Sequence, residues 1–364
     1  MHRRFHKRRW TLTCFLAAMV ILPTAAVLQK DNDAQNKSAA HAYAEKEGAA
    51  QSVSWNVFSD GYGWEEETAP VAAEISAELP EQKASADAGE KPYPESWNLS
   101  SDTSVQRTSY GTYSGTRFFS LFSAGQVQNK TSIPNNTLIA ESTAFTIETS
   151  GEPQVLIMHT HTTESFEPYV RQNFDPAFNY RTTDPAYNMV SVGDAITAQL
   201  EAAGIGVIHN TTIHDYPSYN GSYDRSAETV RQILQQYPSI RVVLDIHRDA
   251  IQKDNTLIQP VVEINGKESA QVMIISGCDD GTMNMPNYMQ NYHFACRLQE
   301  NMEGMYAGLT RPILFDYRHY NQDLTTGSLL LEIGTHGNTL EQAQYAGELV
   351  GKALAQTLLK LKKE

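Results

Sequence analysis

Three short apolar runs, each ending in His, Glu or Asp, constrain most strongly what this chain can fold into. They are VLIMHTHTTESF at 155–166, VVLDIHRDA at 242–250 and LLLEIGTHGN at 329–338. Runs of this kind predict buried strands, and each delivers polar side chains at the point where its strand ends. Because open α/β sheets place ligands at the carboxyl ends of their strands, we expect the three endings to share one site.

Amphipathic helical patterns alternate with apolar strands from about residue 154 onward. We predict strands at 154–159, 205–209, 240–246, 257–264, 270–277, 312–316 and 328–333. We predict helices at 187–203, 224–237, 286–304 and 338–362. This alternation predicts an α/β domain with a mostly parallel twisted sheet flanked by helices. The chain contains neither a GxGxxG motif after a strand nor a Walker A loop, so nucleotide binding has no support in the sequence.

The first thirty residues stand apart from this domain. The basic segment MHRRFHKRRW precedes an uncharged apolar run, TLTCFLAAMVILPTAAVL. This order predicts a single membrane anchor with its basic flank in the cytoplasm, or a signal peptide that is cleaved near residues 24–26. The anchor is the preferred interpretation. It predicts a single-pass protein of the cell membrane, with the folded domain on the extracytoplasmic side.

A flexible acidic linker is predicted at 31–124, between the anchor and a catalytic domain at 125–364. Its first seventy or so residues are rich in Ala, Glu, Ser, Asp and Gln and poor in aliphatic side chains. Such a composition cannot bury enough apolar area to offset the entropy of ordering the chain. The stretch at 108–123 is more aromatic, and it could dock on the domain or bind a partner.

The formal net charge of −14 disfavours nucleic acid as a partner, because phosphates require a basic surface. With three cysteines, one of them inside the apolar leader, the chain is not a disulfide scaffold. Cys278 and Cys296 could pair with each other. We expect them instead to be two reduced and partly buried thiols.

The polar strand endings contain the parts of a zinc hydrolase. Catalytic zinc takes three His, Asp or Glu ligands and keeps a position for water, while a nearby carboxylate moves the proton. His159 and His161 are two residues apart, so an extended backbone would point both to one face. Glu164 follows in the loop, and His247 closes the second strand. Glu332 lies in an aliphatic strand, where a buried carboxylate requires a partner.

Several of these polar residues have a second interpretation. Asp245 could support a ligating histidine or bond only to neighbouring backbone. Glu332 could belong to a buried salt bridge. Arg248 could form a surface pair with Asp249, or it could hold a carbonyl or carboxylate of a substrate. The tyrosine-rich run at 213–226 could line a groove or be an ordinary loop. For the remaining histidines we expect hydrogen-bonding roles at 209, 214, 293, 319 and 336.

Four blocks of the chain, in the same order, resemble the stage II sporulation protein P family. They are VLIMHTHTTESF, the helix start YDRS, VLDIHRDA and LLLEIGTHGNTLEQA. The resemblance runs from about residue 120 to the C-terminus, and it includes the leader and a variable stalk. It implies an amidase-like fold related to the zinc-dependent N-acetylmuramoyl-L-alanine amidases. Such an enzyme cuts the amide between lactyl-muramic acid and the L-alanine of the stem peptide in peptidoglycan.

The same resemblance implies a role in septal wall thinning and engulfment during sporulation. Its implied partners are peptidoglycan, the membrane and the stage II sporulation proteins D and M. Members of the family are also associated with cleavage of the peptide cross-links between stems. A zinc endopeptidase or carboxypeptidase acting on stem peptides is therefore an alternative activity. An inactive wall-binding scaffold on the same fold is an alternative of a different class.

For the metal, the resemblance implies that His159 and His247 are zinc ligands and that Glu164 is the third. Glu164 follows the first histidine more closely than the corresponding Glu does in ordinary amidases, so Glu167 and Asp194 remain alternatives.

For catalysis, the resemblance implies that Glu332 is the general base and then the general acid. Arg248, together with the metal, is assigned to the oxyanion. Arg248 and Asp249 replace the Asn that follows the second histidine in ordinary amidases, which implies altered substrate contacts. His161 is expected to lie beside the ligands or on the substrate side.

Overall fold

The computed structural model describes residues 93, 94, 96–149 and 151–363. The predicted anchor at 1–30 and most of the predicted linker lie outside this range. No helix within the described ranges is long and apolar enough to cross a membrane. The strands are β1 (Ser104–Thr108), β2 (Phe118–Ser120), β3 (Gln126–Asn129), β4 (Pro153–Met158), β5 (Gly206–His209), β6 (Val242–Asp249), β7 (Gln252–Lys253), β8 (Thr256–Ile264), β9 (Lys267–Ala270), β10 (Val272–Cys278), β11 (Ile313–Tyr317) and β12 (Ser328–Thr335). The α-helices are α1 (Met189–Ala202), α2 (Ser222–Gln236), α3 (Tyr288–Met305) and α4 (Leu340–Leu359).

The main sheet contains eight strands in the order β2-β3-β11-β10-β12-β6-β4-β5. A smaller sheet joins β1, β8 and β7, and β9 pairs with β8. The predicted α/β class is confirmed, but the prediction of a mostly parallel sheet is wrong, because β10 runs antiparallel to β12 and β2 antiparallel to β3. After β6 the chain reaches β10 through β8 and β9, which are antiparallel neighbours joined by a short turn. A short turn reverses the chain, whereas a parallel neighbour requires a longer crossover.

Both faces of the main sheet are covered, which explains why its strands are continuous apolar runs. In β4, Val155 and Ile157 face the large core formed with α1, α3 and α4. Leu156 and Met158 point to the opposite face, where they pack with Val230 of α2. Because side chains alternate between the two faces of a strand, β4 contributes to two separate hydrophobic cores.

Helices α1 and α4 approach each other closely through two glycines of α4. A Cβ atom on Gly347 would lie 2.9 Å from the carbonyl oxygen of Val192, and one on Gly351 would lie 2.8 Å from that of Ile196. Real Cβ atoms essentially never make contacts this short. The spacing of the two helices therefore depends on glycine at these positions.

The described residues between 96 and 124, within the range predicted as linker, pack against the domain. β1 pairs with β8 in parallel, and the backbone N–H of Val105 donates to the carbonyl of Gln172 at 2.8 Å. Tyr110 is buried, and the side-chain amide of Gln271 bonds to both its N–H and its carbonyl. The aromatic stretch at 108–123 thus docks on the domain. Strand pairing supplies backbone partners here that composition alone does not reveal.

The thiols of Cys278 and Cys296 are both free and buried, as predicted. Burial raises the pKa of each to about 12, so both thiols stay protonated and chemically quiet at neutral pH.

Candidate active site

The carboxyl ends of β4, β6 and β12 lie side by side in the main sheet. β6 is hydrogen-bonded to β4 on one side and to β12 on the other, and all three run parallel. The register places Met158 beside Asp245 and Glu332 beside His247. The three polar strand endings thus lie together at one edge of the sheet, as one shared site requires.

Three buried side chains form the centre of this site: His161, Glu164 and His247. The rings of His161 and His247 meet edge to face, with their centroids 5.2 Å apart. Nδ1 of His247 lies 3.9 Å from Oε2 of Glu164. Glu332 stands beside them, and its Oε2 is buried without a hydrogen-bond partner in the described part of the chain. Burial, and then the negative charge of Asp249, raise the pKa of Glu332 well above its ordinary range.

Asp245 contacts the ring nitrogen of His247 that faces away from Glu164. Its Oδ1 lies 2.8 Å from Nε2 of His247. The same carboxylate accepts hydrogen bonds from the backbone N–H of Thr160 at 2.8 Å and from its hydroxyl at 2.7 Å. Burial alone would lower the pKa of His247, but the Asp245 carboxylate outweighs it and raises that pKa to about 9. The sequence left two roles open for Asp245, a bond to neighbouring backbone and contact with a histidine. The structure shows both.

Asp215 takes the corresponding place behind His161, and sequence reasoning did not find it. Its Oδ2 lies 3.9 Å from Nδ1 of His161. The carboxylate also accepts from the N–H and hydroxyl of Thr163, at 3.1 and 2.7 Å, and from Nη1 of Arg181 at 2.6 Å. The available signal was an acidic residue following β5, the strand next to β4. Each histidine of the centre thus has a buried carboxylate on its inner side.

Tyrosines form one wall of the site, as one of the two interpretations of 213–226 required. The Tyr219 hydroxyl lies 3.0 Å from Nε2 of His161, and the two rings stack with centroids 4.5 Å apart. The ring of Tyr223 is parallel to that of His247 at 6.4 Å, and Tyr320 stacks on Tyr223 at 5.4 Å. Burial raises the pKa of all three tyrosines, so they remain hydroxyl donors at neutral pH.

His159 lies away from this centre. Its Nδ1 bonds to the carbonyl of Ile246 at 2.9 Å, and its Nε2 lies 2.9 Å from Nε2 of His209. A Cβ atom on Gly193 would lie 2.8 Å from Nε2 of His159, so the glycine makes room for the pair. β4 ends at Met158, so the extended backbone that would have pointed both histidines to one face stops before them. The placement favours His161 over His159 as a ligand.

The guanidinium of Arg248 contacts backbone carbonyls and also the carboxylate of Glu164, whose Oε1 lies 3.9 Å from Nη1. Its Nε donates to Ser165 at 2.7 Å, and its Nη2 donates to Tyr180 at 3.0 Å. The side chain of Asp249 pairs with Arg311 instead, at 2.9 Å. Arg248 is buried and ties two loop segments together, so it does not form a surface pair with Asp249, and its assignment to the substrate stays a prediction.

The two alternatives to Glu164 are also engaged elsewhere. The Glu167 carboxylate accepts the hydroxyl of Tyr180 at 2.6 Å and forms an ion pair with Arg171. The largely exposed Asp194 bonds to Nδ1 of His209 at 2.9 Å. Only Glu164, of the three acidic candidates, lies next to His247.

The donor set of His161, Glu164 and His247 fits a zinc ion in its chemistry. It offers two imidazoles and one carboxylate, and the Asp245 carboxylate contacts the far nitrogen of His247, as is usual for metal-bound histidines. Two tetrahedral zinc ligands stand about 3.3 Å apart, and the His247–Glu164 separation is 3.9 Å. Within the described ranges, no three His, Cys, Asp or Glu side chains stand ready as placed to hold one ion. Binding therefore requires small side-chain movements.

The family model described as Stage II sporulation protein P (SpoIIP) matches residues 63–355. The chain belongs to this family. The curated stage II sporulation protein P of Bacillus subtilis (strain 168) is 33% identical over 223 residues, which cover 57% of this chain and 52% of that relative. This member of the family therefore spans about half the length of the curated relative that it matches.

Several solved structures share a remote likeness with this family member. The N-acetylmuramoyl-L-alanine amidase AmiC2 of Nostoc punctiforme is 11% identical, with 57% of this chain and 96% of that one covered and a TM-score of 0.34. An N-acetylmuramoyl-L-alanine amidase from Clostridium difficile 630 is 15% identical, with 58% and 97% covered and a TM-score of 0.33. A metallo-carboxypeptidase from Burkholderia cenocepacia is 12% identical, with 59% and 60% covered and a TM-score of 0.35. Values this low say nothing of activity.

Proposed function

We propose that this chain is a zinc-dependent peptidoglycan amidase that acts in sporulation. It hydrolyses the amide between N-acetylmuramic acid and the L-alanine of the stem peptide. Membership of the stage II sporulation protein P family supports the sporulation role. The chemistry is supported by one observation above all: Glu332 lies in register with His247 at the strand ends where His161 and Glu164 also meet.

His161, Glu164 and His247 are the residues that would hold the metal. Bound zinc supplies a water of lowered pKa and a positive charge for the developing oxyanion. Asp245, whose Oδ1 lies 2.8 Å from Nε2 of His247, orients that imidazole so that its Nδ1 faces Glu164 and the ion. Asp215 stands 3.9 Å from Nδ1 of His161, too far for a hydrogen bond, and places a negative charge beside that ring.

Glu332 moves the proton in this proposal. It accepts a proton from the attacking water at a carboxylate oxygen and returns it to the nitrogen of the leaving amine. Its buried Oε2 has no partner in the described part of the chain, so it is available for this transfer. Arg248 takes no direct part in this proposal, because its Nε and Nη2 donate to backbone carbonyls and its Nη1 lies beside the Glu164 carboxylate at 3.9 Å.

The proposal includes a location and partners that come from the sequence. The leader at 1–30 would anchor the protein so that its site faces the cell wall, and the stage II sporulation proteins D and M would act beside it. Membrane fractionation of cells, followed by protease treatment of intact protoplasts, tests the anchor and its orientation. Recovery of the protein in the soluble fraction would refute the anchor.

The activity is tested by digesting purified peptidoglycan with the zinc-loaded full chain and weighing the fragments by mass spectrometry. An amidase releases unshortened stem peptides with a free L-alanine amino terminus. Shortened stems or cut cross-links without that terminus would identify a carboxypeptidase or an endopeptidase instead. No release at saturating zinc would favour the scaffold.

The general base is tested with Glu332→Gln. This change should keep zinc and lower the rate by a factor of about 10² to 10⁴. The matched control is His293→Gln on α3, away from the sheet edge that carries the site, which should digest at the normal rate. Loss of zinc from the Glu332 variant would make that residue a ligand and would contradict its assigned role.

A further inference from the structure

Arg181 brings a partly exposed positive charge to the candidate active site. Its Nη1 donates to Oδ2 of Asp215 at 2.6 Å, and its Nη2 lies 3.8 Å from Oε1 of Glu164. Both carboxylates belong to the centre of the site, since Asp215 is 3.9 Å from His161 and Glu164 is 3.9 Å from His247. The side chain of Arg181 is 27% exposed, so it connects this centre to solvent.

One edge of the Arg181 guanidinium keeps its donors. In the described part of the chain, the hydrogen bonds of this side chain come from Nη1, which donates to Asp215 and, at 3.1 Å, to the hydroxyl of Thr163. Nε and Nη2 form the other edge of the fork. Arginine binds carboxylates most strongly through two parallel N–H bonds, and this edge offers such a pair. Arg181 can therefore neutralise Asp215 and bind a second carboxylate at the same time.

The two other arginines beside the site lack this combination. Nε and Nη2 of Arg248 donate to backbone carbonyls, and its side chain is 6% exposed. Arg318 donates from Nε to Asp316 at 3.1 Å and from Nη1 to the hydroxyl of Tyr320 at 2.7 Å. Of the three, Arg181 is the one whose Nε and Nη2 edge is open.

An anionic substrate requires such a cation at this site. The chain has a formal net charge of −14, and the carboxylates of Glu164, Asp215, Asp245 and Glu332 all lie at the site. Like charges at close range repel, so a bound carboxylate requires a positive group that faces it.

The stem peptide of peptidoglycan carries a carboxylate close to the bond in question. The residue after L-alanine is a D-glutamate joined through its γ-carboxyl, which leaves its α-carboxylate free. An extended chain advances about 3.3–3.6 Å per residue, so this group lies about 7 Å from the scissile amide. A guanidinium that is 3.8 Å from Glu164 is within reach of it.

We propose that Arg181 binds the free α-carboxylate of the second stem residue through its Nε and Nη2 edge. The inference rests on the proposed function, because it takes the stem peptide as the substrate. Asp215 and the ring of Tyr219, whose centroid lies 4.9 Å from the guanidinium carbon, hold Arg181 in place. Arg181 is thus a specificity-determining residue, which selects stems with a free carboxylate over stems in which this group is a carboxamide.

Two N-acetylmuramoyl peptides that differ at one group test this selection. The second residue has a free α-carboxylate in one peptide and a carboxamide of nearly the same shape in the other. Calorimetry measures their affinities for the zinc-loaded full chain with Glu332→Gln, so that neither peptide is cut. A charge-assisted hydrogen bond corresponds to about a 10- to 150-fold effect. Because water screens a partly exposed pair, we expect the lower end, a preference of about ten-fold for the carboxylate.

Arg181→Lys, added to that chain, is the decisive variant. Lysine keeps a charge for Asp215, but its single ammonium group has no second edge. The preference should therefore fall to within about two-fold, with the affinity for the carboxamide peptide unchanged. Arg231→Gln, at an exposed position of α2, is the control and should keep the full preference. A preference that persists in Arg181→Lys would overturn the assignment, and so would equal affinities, or no binding of either peptide, before that change.

Turnover of the same peptides by the chain with Glu332 intact separates this inference from the amidase proposal. The carboxylate peptide should have the lower KM, with a similar kcat for both peptides. If neither peptide were cut while the binding preference and its loss in Arg181→Lys were observed, the amidase proposal would fail and the carboxylate site would stand. If both were cut but bound equally well, the carboxylate site would fail and the amidase would stand.

Discussion

Replacing Arg248 by lysine separates two roles for this residue. Its side chain is buried, and two of its nitrogens donate to separate carbonyls, those of Ser165 at 2.7 Å and Tyr180 at 3.0 Å. Lysine keeps the positive charge but has a single ammonium group, which cannot take the place of the planar fork. The carbonyl of Tyr180 also accepts a hydrogen bond from the backbone N–H of Ser165 at 2.9 Å, so it keeps a partner if the charged donor is lost. The carbonyl of Ser165 would lose its described partner.

Loss of one hydrogen bond from a charged donor costs about 1.5–3 kcal/mol, because a buried carbonyl is left unpaired. We therefore expect Arg248→Lys to lower the free energy of unfolding by about that amount. Urea denaturation of metal-free protein, followed by circular dichroism, measures the change without a contribution from ligand binding. Proteolysis in the segment 166–187 should become faster in the same variant, since the guanidinium ties this segment to β6.

Arg107→Lys is the matched control. Its ion pair with Glu268 is on the surface, where both side chains are more than 40% exposed, and such pairs contribute about 0–1 kcal/mol. If Arg248→Lys unfolded like this control while kcat at saturating zinc fell 100-fold or more, Arg248 would act on the substrate, as the sequence resemblance implied. The reasoning from its carbonyl contacts would then be refuted.

Three further predictions concern the metal and the core. His161→Gln should lose zinc and His159→Gln should keep it in metal analysis of the purified chain, and the reverse result would restore the sequence-based assignment of His159. Asp245→Asn should weaken zinc binding by about 10- to 100-fold in chelator competition, and an unchanged affinity would show that the carboxylate does not support its histidine. Gly351→Ala should lower the free energy of unfolding by about 1–3 kcal/mol in urea denaturation, because its Cβ would lie 2.8 Å from the carbonyl of Ile196. A stability equal to that of the unaltered chain would mean that α1 and α4 can separate at no cost.

The strand endings could be predicted because a continuous apolar run depends on burial of both sheet faces, which leaves a clear pattern in the sequence. That pattern is enough to place His247, Glu164 and Glu332 at one edge of the sheet. Strand direction leaves no such pattern. β10 is as apolar as the parallel strands β4 and β6, yet it runs against β12, because the direction depends on the turns that precede it.

The choice between His159 and His161 depends on where β4 ends, and sequence fixes such boundaries only to within a few residues. The residues that support the site from loops were missed for a related reason. Asp215 and Tyr219 reach His161 through the path of the loop after β5, and a loop path has no periodicity to detect. An aspartate and a tyrosine in this loop indicate the site only once β5 is known to lie beside β4. That position depends on the strand order, which the sequence does not show.

The reversal between β12 and β10 places the candidate site on one side of the sheet edge. On the β6 side of β12, every neighbouring strand ends at the same edge and contributes a polar loop, whereas on the β10 side that edge receives the start of a strand. Under the proposed function, a long polymer lying across the sheet would meet reactive groups over β12, β6 and β4 and none on the β10 side. Changes in the loops after β4 and β5 should then alter which polymers the proposed enzyme accepts, while the opposite half of the sheet can diverge without affecting the proposed reaction.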